Sequence, residues 1–162
     1  MALTRLGTNA ITSVPSSAIT ALPAGVGGKV LQVVTATDST ERTTSSISFT
    51  AAGSTLAVAI TPSSTSSKIF AVASSTIGSA NSDGYCITSI YRDATNLGHS
   101  TSGMGISVGN GHYPVCITIL DSPSSNTSLT YQVYFRSDNA AKTAVLNRSS
   151  VKGSITLYEI AG

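Results

Sequence analysis

Hydrophobic and polar positions alternate along this chain in short bursts. The clearest burst is residues 113–138, YPVCITILDSPSSNTSLTYQVYFRSD. Two apolar, β-branched and aromatic runs, 115–120 and 129–135, flank the stretch DSPSSN at 121–126. Asp, Ser, Pro and Asn form turns, so the pattern predicts two antiparallel strands joined by a short loop. Successive strand side chains point to opposite faces, which puts Tyr131, Val133 and Phe135 on one side and Gln132, Tyr134 and Arg136 on the other. The first set predicts a core face. The second predicts an amphipathic row for solvent or a neighbouring chain.

The same texture recurs from residue 28 onward. Strands are predicted over 29–35, 43–50, 55–60, 68–74, 85–93, 142–147 and 154–160, with a weak one inside 99–108. In 43–50, Ile47 and Phe49 share one side. Residues 78–84 read as a loop, 94–98 as a turn, and Asn110-Gly111 as a turn leading into the next strand. Residues 61–67 and 122–128 are similar Ser/Thr/Pro connectors, expected at one end of the molecule. About nine or ten short strands, spaced by roughly 8–14 residues with no long helical pattern, predict an antiparallel sandwich or barrel. The expected fold class is all-β: an antiparallel two-sheet jelly-roll sandwich with a short extended N-terminal arm.

The arm is residues 1–27, punctuated by Pro15, Pro23 and several glycines. Its apolar residues, Leu3, Leu6, Ile11, Val14, Ile19 and Leu22, are scattered singly. They cannot build a core alone, so they predict contact with a sister chain or another protein. The domain division is therefore an arm over 1–27 and a sandwich over 28–162.

Charge narrows the function classes. Only 10% of the 162 residues are charged and the net charge is +2, with no Lys/Arg cluster. That weighs against nucleic-acid binding and charged membrane surfaces. No stretch reaches the roughly 18 apolar residues of a membrane helix. The N-terminal residues lack the unbroken apolar core of a signal peptide, so assembly in a cytoplasm is expected. Water contact must rest on Ser, Thr and Asn, as suits a β-rich structural protein. Cys86 and Cys116 both fall in predicted strands and are expected as buried free thiols.

Catalytic chemistry is hard to find. The two histidines are His99 and His112, with Asp93, Asp121 and Asp138 the nearest acids in sequence. The chain has no G-x-S-x-G, H-E-x-x-H or C-x-x-C pattern. No enzyme activity, cofactor or metal is expected. His99 and His112 meeting on a symmetry axis around an ion is a minor alternative, and Asp83 and Asp138 are too isolated to predict calcium. Arg92 and Asp93 are expected to pair locally at the surface. Asp, Asn and Tyr on end loops can bond sugar hydroxyls and stack on sugar rings. The candidate receptor loops hold Asn81, Asp83 and Tyr85; Asn96 and His99; and Asn110, His112 and Tyr113. The competing reading is plain solvated loops. Tyr134 and Tyr158 alternate onto outer faces and are candidates for a trimer interface, against a reading as half-buried surface aromatics.

Several stretches carry a family resemblance. They are GGKVLQVV at 27–34, TPSSTSSKIFAVAS at 61–74, SIYRDATNLG at 89–98, ILDSPSSNTSLTYQVYFRS at 119–137, VLNRSS at 145–150 and SITLYEIAG at 154–162. In this order they resemble a domain of small virion proteins and tail-fibre tips of tailed phages, cyanophages among them. The resemblance covers about residues 27–162. It implies a jelly-roll knob related in shape to tumour-necrosis-factor modules, usually trimeric. It also implies a structural role in fibres or decoration knobs, with host attachment in some cases, and no catalytic motif. In long fibres the module ends a shaft; here it follows only the short arm. The expectation is a homotrimeric virion knob, assembled in the host cytoplasm and held to other virion proteins through residues 1–27. A host surface glycan is a further expected partner; nucleic acid and membrane insertion are not. A capsid decoration protein and a glycan-binding receptor module are alternatives. A polysaccharide depolymerase would need clustered carboxylates, and seven scattered acids weigh against it.

Overall fold

The computed structural model describes residues 29–162. The predicted arm, with Leu3, Leu6, Ile11, Val14, Ile19 and Leu22, lies outside the described residues. The described chain forms β1 (Val30–Asp38), β2 (Arg42–Thr44), β3 (Thr50–Ala51), β4 (Ala57–Ile60), β5 (Lys68–Ser79), β6 (Tyr85–Arg92), β7 (Thr95–Asn96), β8 (Gly105–Val108), β9 (Tyr113–Asp121), β10 (Leu129–Ser137), β11 (Ala144–Leu146) and β12 (Gly153–Ile160). Single 3₁₀ turns lie at Ser54–Leu56 and Arg148–Ser150. The protein is an all-β sandwich of two antiparallel sheets.

The first sheet runs β1-β12-β5, with β9 on the free edge of β5 and β11 then β2 continuing beside the far end of β5. The second is centred on β10 and β6. Strands β3 and β4 flank β10, while β7 and β8 flank β6. Alternation explains the core. From the first sheet Ile69, Ala71, Ile117, Ile155 and Leu157 point inward; from the second, Ile90, Tyr131, Val133 and Phe135 meet them. Burying each large side chain contributes roughly 1.5–3 kcal/mol. The predicted core face of Tyr131, Val133 and Phe135 is fully buried.

The predicted hairpin between 115–120 and 129–135 does not form. Strand β9 pairs with β5 in one sheet, and β10 pairs with β6 in the other. A two-residue turn would hold both strands in one sheet, whereas residues 122–128 are long enough to cross the roughly 10 Å between layers. The same crossing occurs at 61–67, between β4 and β5. Both connectors lie at one end, as expected: Leu129 pairs with Ile60, and Ile69 with Asp121.

Other boundaries moved for local reasons. The strand expected over 43–50 splits into β2 and β3. The Ser46 hydroxyl donates to the Ser48 carbonyl (2.8 Å) and accepts from the Ser48 amide (3.1 Å), turning the chain. Ile47 is exposed as a result, and Phe49 packs outside the second sheet. Strand β5 continues through Gly78 and Ser79, which the sequence suggested as loop. Gly78 has no room for a Cβ, because the Gly111 carbonyl oxygen occupies that space. The turn at 94–98 contains the short strand β7. Cys86 is buried, but Cys116 is exposed on the outer face, because β9 turns Val115, Ile117 and Ile119 inward. Both thiols are free.

Candidate functional site

Three surfaces hold the groups that could recognise a partner. The first is the end of the sandwich opposite the two Ser/Thr/Pro connectors. There the Ser79 amide donates to the Gly109 carbonyl (2.9 Å), the Gly109 amide to Gly84 (2.7 Å), and the Ala80 amide to Thr143 (2.9 Å). These bonds gather residues 80–84, 109–112 and 139–143. Asn81, Asp83, Tyr85, Asn110, His112 and Tyr113 belong to this end. Several are engaged already. Asn81 Oδ1 accepts from the Thr143 amide (3.0 Å). Asp83 pairs with Lys142 Nζ (3.1 Å), whose hydrogen bond and charge hold its carboxyl below the ordinary range. The Tyr85 amide donates to Asp138 Oδ1 (2.8 Å). His112 and Tyr113 are exposed.

Asn96 and His99 lie elsewhere, on the β7–β8 edge of the second sheet. Asn96 Oδ1 accepts from Ser89 Oγ (2.6 Å) and the Gly98 amide (2.9 Å). His99 Nδ1 accepts from the amides of Thr101 (3.2 Å) and Ser102 (3.0 Å). Both side chains shape the 97–103 loop. Among the described residues no three His, Cys, Asp or Glu side chains group as metal ligands.

The second surface is the outer face of the first sheet. Register sets Val33 opposite Tyr158, Tyr158 opposite Phe70, and Phe70 opposite Leu120. An apolar row therefore crosses four strands. Phe70 and Tyr158 pack with ring centroids 6.1 Å apart, while Val33 is 53% and Leu120 51% exposed. Val30 and Leu31 extend the row, also exposed.

The third surface is the outer face of the second sheet. Tyr91 and Tyr134 stack at 3.9 Å between centroids, with planes 18° apart, and Phe49 tilts against Tyr91 at 5.9 Å. Tyr134 and Tyr158 thus face outward as expected, but on opposite sides of the sandwich. Burial and the nearby Tyr134 push the Tyr91 hydroxyl up, so it stays neutral. Arg136, expected toward solvent or a neighbour, is 8% exposed. Its Nε and Nη2 donate to the Thr101 carbonyl, and its Nη1 donates to the carbonyls of Ile47 (3.1 Å) and Ser137 (2.9 Å). The guanidinium lies 5.5 Å from the Phe49 ring centroid. It ties two covering segments, 46–49 and 99–103, over the sheet. Between them opens a cleft of about 350 Å³, bordered by Ser48, Phe49, Tyr91, Ser100, Thr101 and Arg136.

Two further polar networks are structural. Arg92 pairs with Asp121 in the other sheet (2.7 Å), not with its neighbour Asp93, whose Oδ1 instead accepts from the Thr130 amide. Glu159 is buried and accepts from Ser63 N (2.7 Å), Ser63 Oγ (2.6 Å) and Gln32 Nε2 (2.7 Å), pinning the 61–67 connector.

Sequence reasoning named Tyr134 and Tyr158 but missed their partners Phe49, Tyr91, Phe70 and Leu120. Phe70 and Leu120 fall inside the predicted strands 68–74 and 115–120. Only the pairing of β5 with both β12 and β9 shows that they meet. Compared with models of known protein families and with curated protein sequences, the chain gives no match.

Proposed function

We propose that this chain is a structural knob of a tailed-phage virion, working as a homotrimer and held to the particle by residues 1–27. One observation carries the reading: the exposed apolar row Val33–Tyr158–Phe70–Leu120 across the first sheet. A sandwich with so few ions does not leave such a band in water at no cost; patches of this kind mark contacts. Sister copies packing there would stabilise the fold, since association acts on the folded state alone. The strand order supports a jelly-roll connection. The neighbours β1-β12-β5-β9 and β4-β10-β6-β8 are reached by links that cross repeatedly between sheets.

The described chain begins beside β12, where the Ala161 amide donates to the Lys29 carbonyl (2.9 Å). Anything held through residues before 29 is joined at that end. The loops with Asn81, Asp83, Asn110 and His112 are at the other, which suits them to meet a host surface. The role is adhesive and mechanical rather than catalytic.

Deleting residues 1–27 tests this reading. The expected result is a folded trimer that no longer incorporates into particles. A truncated chain that still loads onto virions, or a full-length chain that sediments as a single protomer, overturns it.

A further inference from the structure

We infer that the cleft on the outer face of the second sheet binds an acidic saccharide: a sugar ring bearing a carboxylate. The proposal deepens the host-attachment part of the reading above by naming a ligand class and moving the site away from the end loops.

The inference starts from charge. Arg136 is the buried cation among the described residues, and none of the ion pairs among them includes it. A buried charge without a counter-charge is costly unless fixed dipoles or an anion offset it. Four of its N–H groups go to neutral carbonyl oxygens, which leaves one Nη2 proton uncommitted out of the five a guanidinium carries. The carbonyl dipoles and the Phe49 ring 5.5 Å away offset part of that charge. The guanidinium also borders an open cleft, where an anion can reach it.

The rest of the lining fits a sugar ring. Phe49 and Tyr91 both line the cleft, and Tyr91 is braced by Tyr134 stacked at 3.9 Å and by Phe49. Their aromatic surface can pack on the C–H side of a pyranose. Ser48, Ser100 and Thr101 supply rim groups that can donate to and accept from ring hydroxyls. The cleft volume lies at the lower end of the roughly 300–1,000 Å³ typical of small-ligand sites. A carboxylate on the sugar would supply the missing counter-charge by a charge-assisted bond.

The full-length chain is titrated with methyl β-glucuronoside and, separately, with methyl β-glucoside, observed by ligand-detected NMR. These probes differ in a carboxylate replacing a hydroxymethyl group. Saturable binding of the uronoside, tighter than the glucoside by about tenfold, is expected from one charge-assisted contact. Two variants locate it. Tyr91→Ala removes the stacking surface, and Ser100→Trp, at an exposed rim position, fills the cleft; circular dichroism checks the fold of each. Both should weaken uronoside binding by about tenfold or more. Equal binding of the two probes, no binding of either, or uronoside binding unchanged in both folded variants overturns the proposal. None of these results bears on particle incorporation, which the deletion of residues 1–27 tests on its own.

Discussion

Tyr131 and Asp121 meet at the end of the sandwich from opposite sheets: the tyrosine hydroxyl donates to Asp121 Oδ2 at 2.6 Å. Arg92 Nη1 closes the triad with bonds of 2.8 and 2.7 Å to the two carboxylate oxygens. Burial and the adjacent carboxylate push the Tyr131 hydroxyl well above its ordinary value, so it remains a donor throughout the working pH range. The triad ties β9 to β10 and β6 at the point where the chain crosses between layers.

Removing the shared acceptor should therefore cost more than removing one donor. Asp121→Ala leaves a partly buried guanidinium and a buried hydroxyl without partners, at about 2–4 kcal/mol. Tyr131→Phe keeps the ion pair and should cost about 1 kcal/mol. Denaturant unfolding of both variants checks the order. Equal losses would mean that the pair contributes nothing across the sheets.

Glu159 makes acid stability measurable. Burial opposes its charged form, but donors from Ser63 and Gln32 outweigh that and hold the carboxyl at about 2. Asp38 is also held at about 2: burial opposes its charge, and bonds from Thr40, Thr55 and Arg42 outweigh it. Both folded values lie below the unfolded ones, so the stabilisation is present at neutral pH and fades as pH falls from about 4 toward about 2. Glu159→Gln should be less stable at neutral pH by about 1–3 kcal/mol. Its stability should also change less between neutral and acid pH than the parent's. Urea titrations at a series of pH values test this.

The two thiols should separate cleanly. Burial pushes Cys86 up to about 12, whereas Cys116 sits exposed on the first sheet opposite Ser74. In dilute native protein a thiol reagent should modify Cys116 and spare Cys86 until the chain unfolds. Mass spectrometry of the labelled peptides identifies the site. Because Cys116 shares its face with the apolar row, its labelling should slow as protein concentration rises and copies associate.

Leu120→Lys probes that row directly. Leu120 is half-exposed in the protomer, so the substitution should change protomer stability by only about 0.5 kcal/mol. It should shift sedimentation from a trimer to single chains, since a lysine buried at an interface loses its hydration. A trimer that survives the change puts the contact on another face.

Alternation made the core legible. Tyr131, Val133 and Phe135 read as inward from their spacing alone, and so they are. What alternation cannot show is which strand lies beside which. Residues 115–120 and 129–135 look like a hairpin because they are close in sequence, yet a seven-residue crossing sends them to different sheets. Side chains that bond to nearby backbone were also hidden, as at Ser46, which breaks a strand the pattern would have continued. Arg136 read as facing solvent or a neighbouring chain, for a different reason. Its position in the alternation is outward, but two distant segments fold over it. The cleft is built from residues spread between 47 and 136, so no local stretch announces it.

The bond between the Ala161 amide and the Lys29 carbonyl sets the first and last strands of the sandwich side by side. In a chain trimmed to residues 29–162, a few glycines would therefore join them without stretching either strand. New ends could then be opened within 122–128, giving a circular permutant with the same sheets in a different chain order. Such a protein would carry a fused passenger on a connector loop, with β1 and β12 covalently linked behind it.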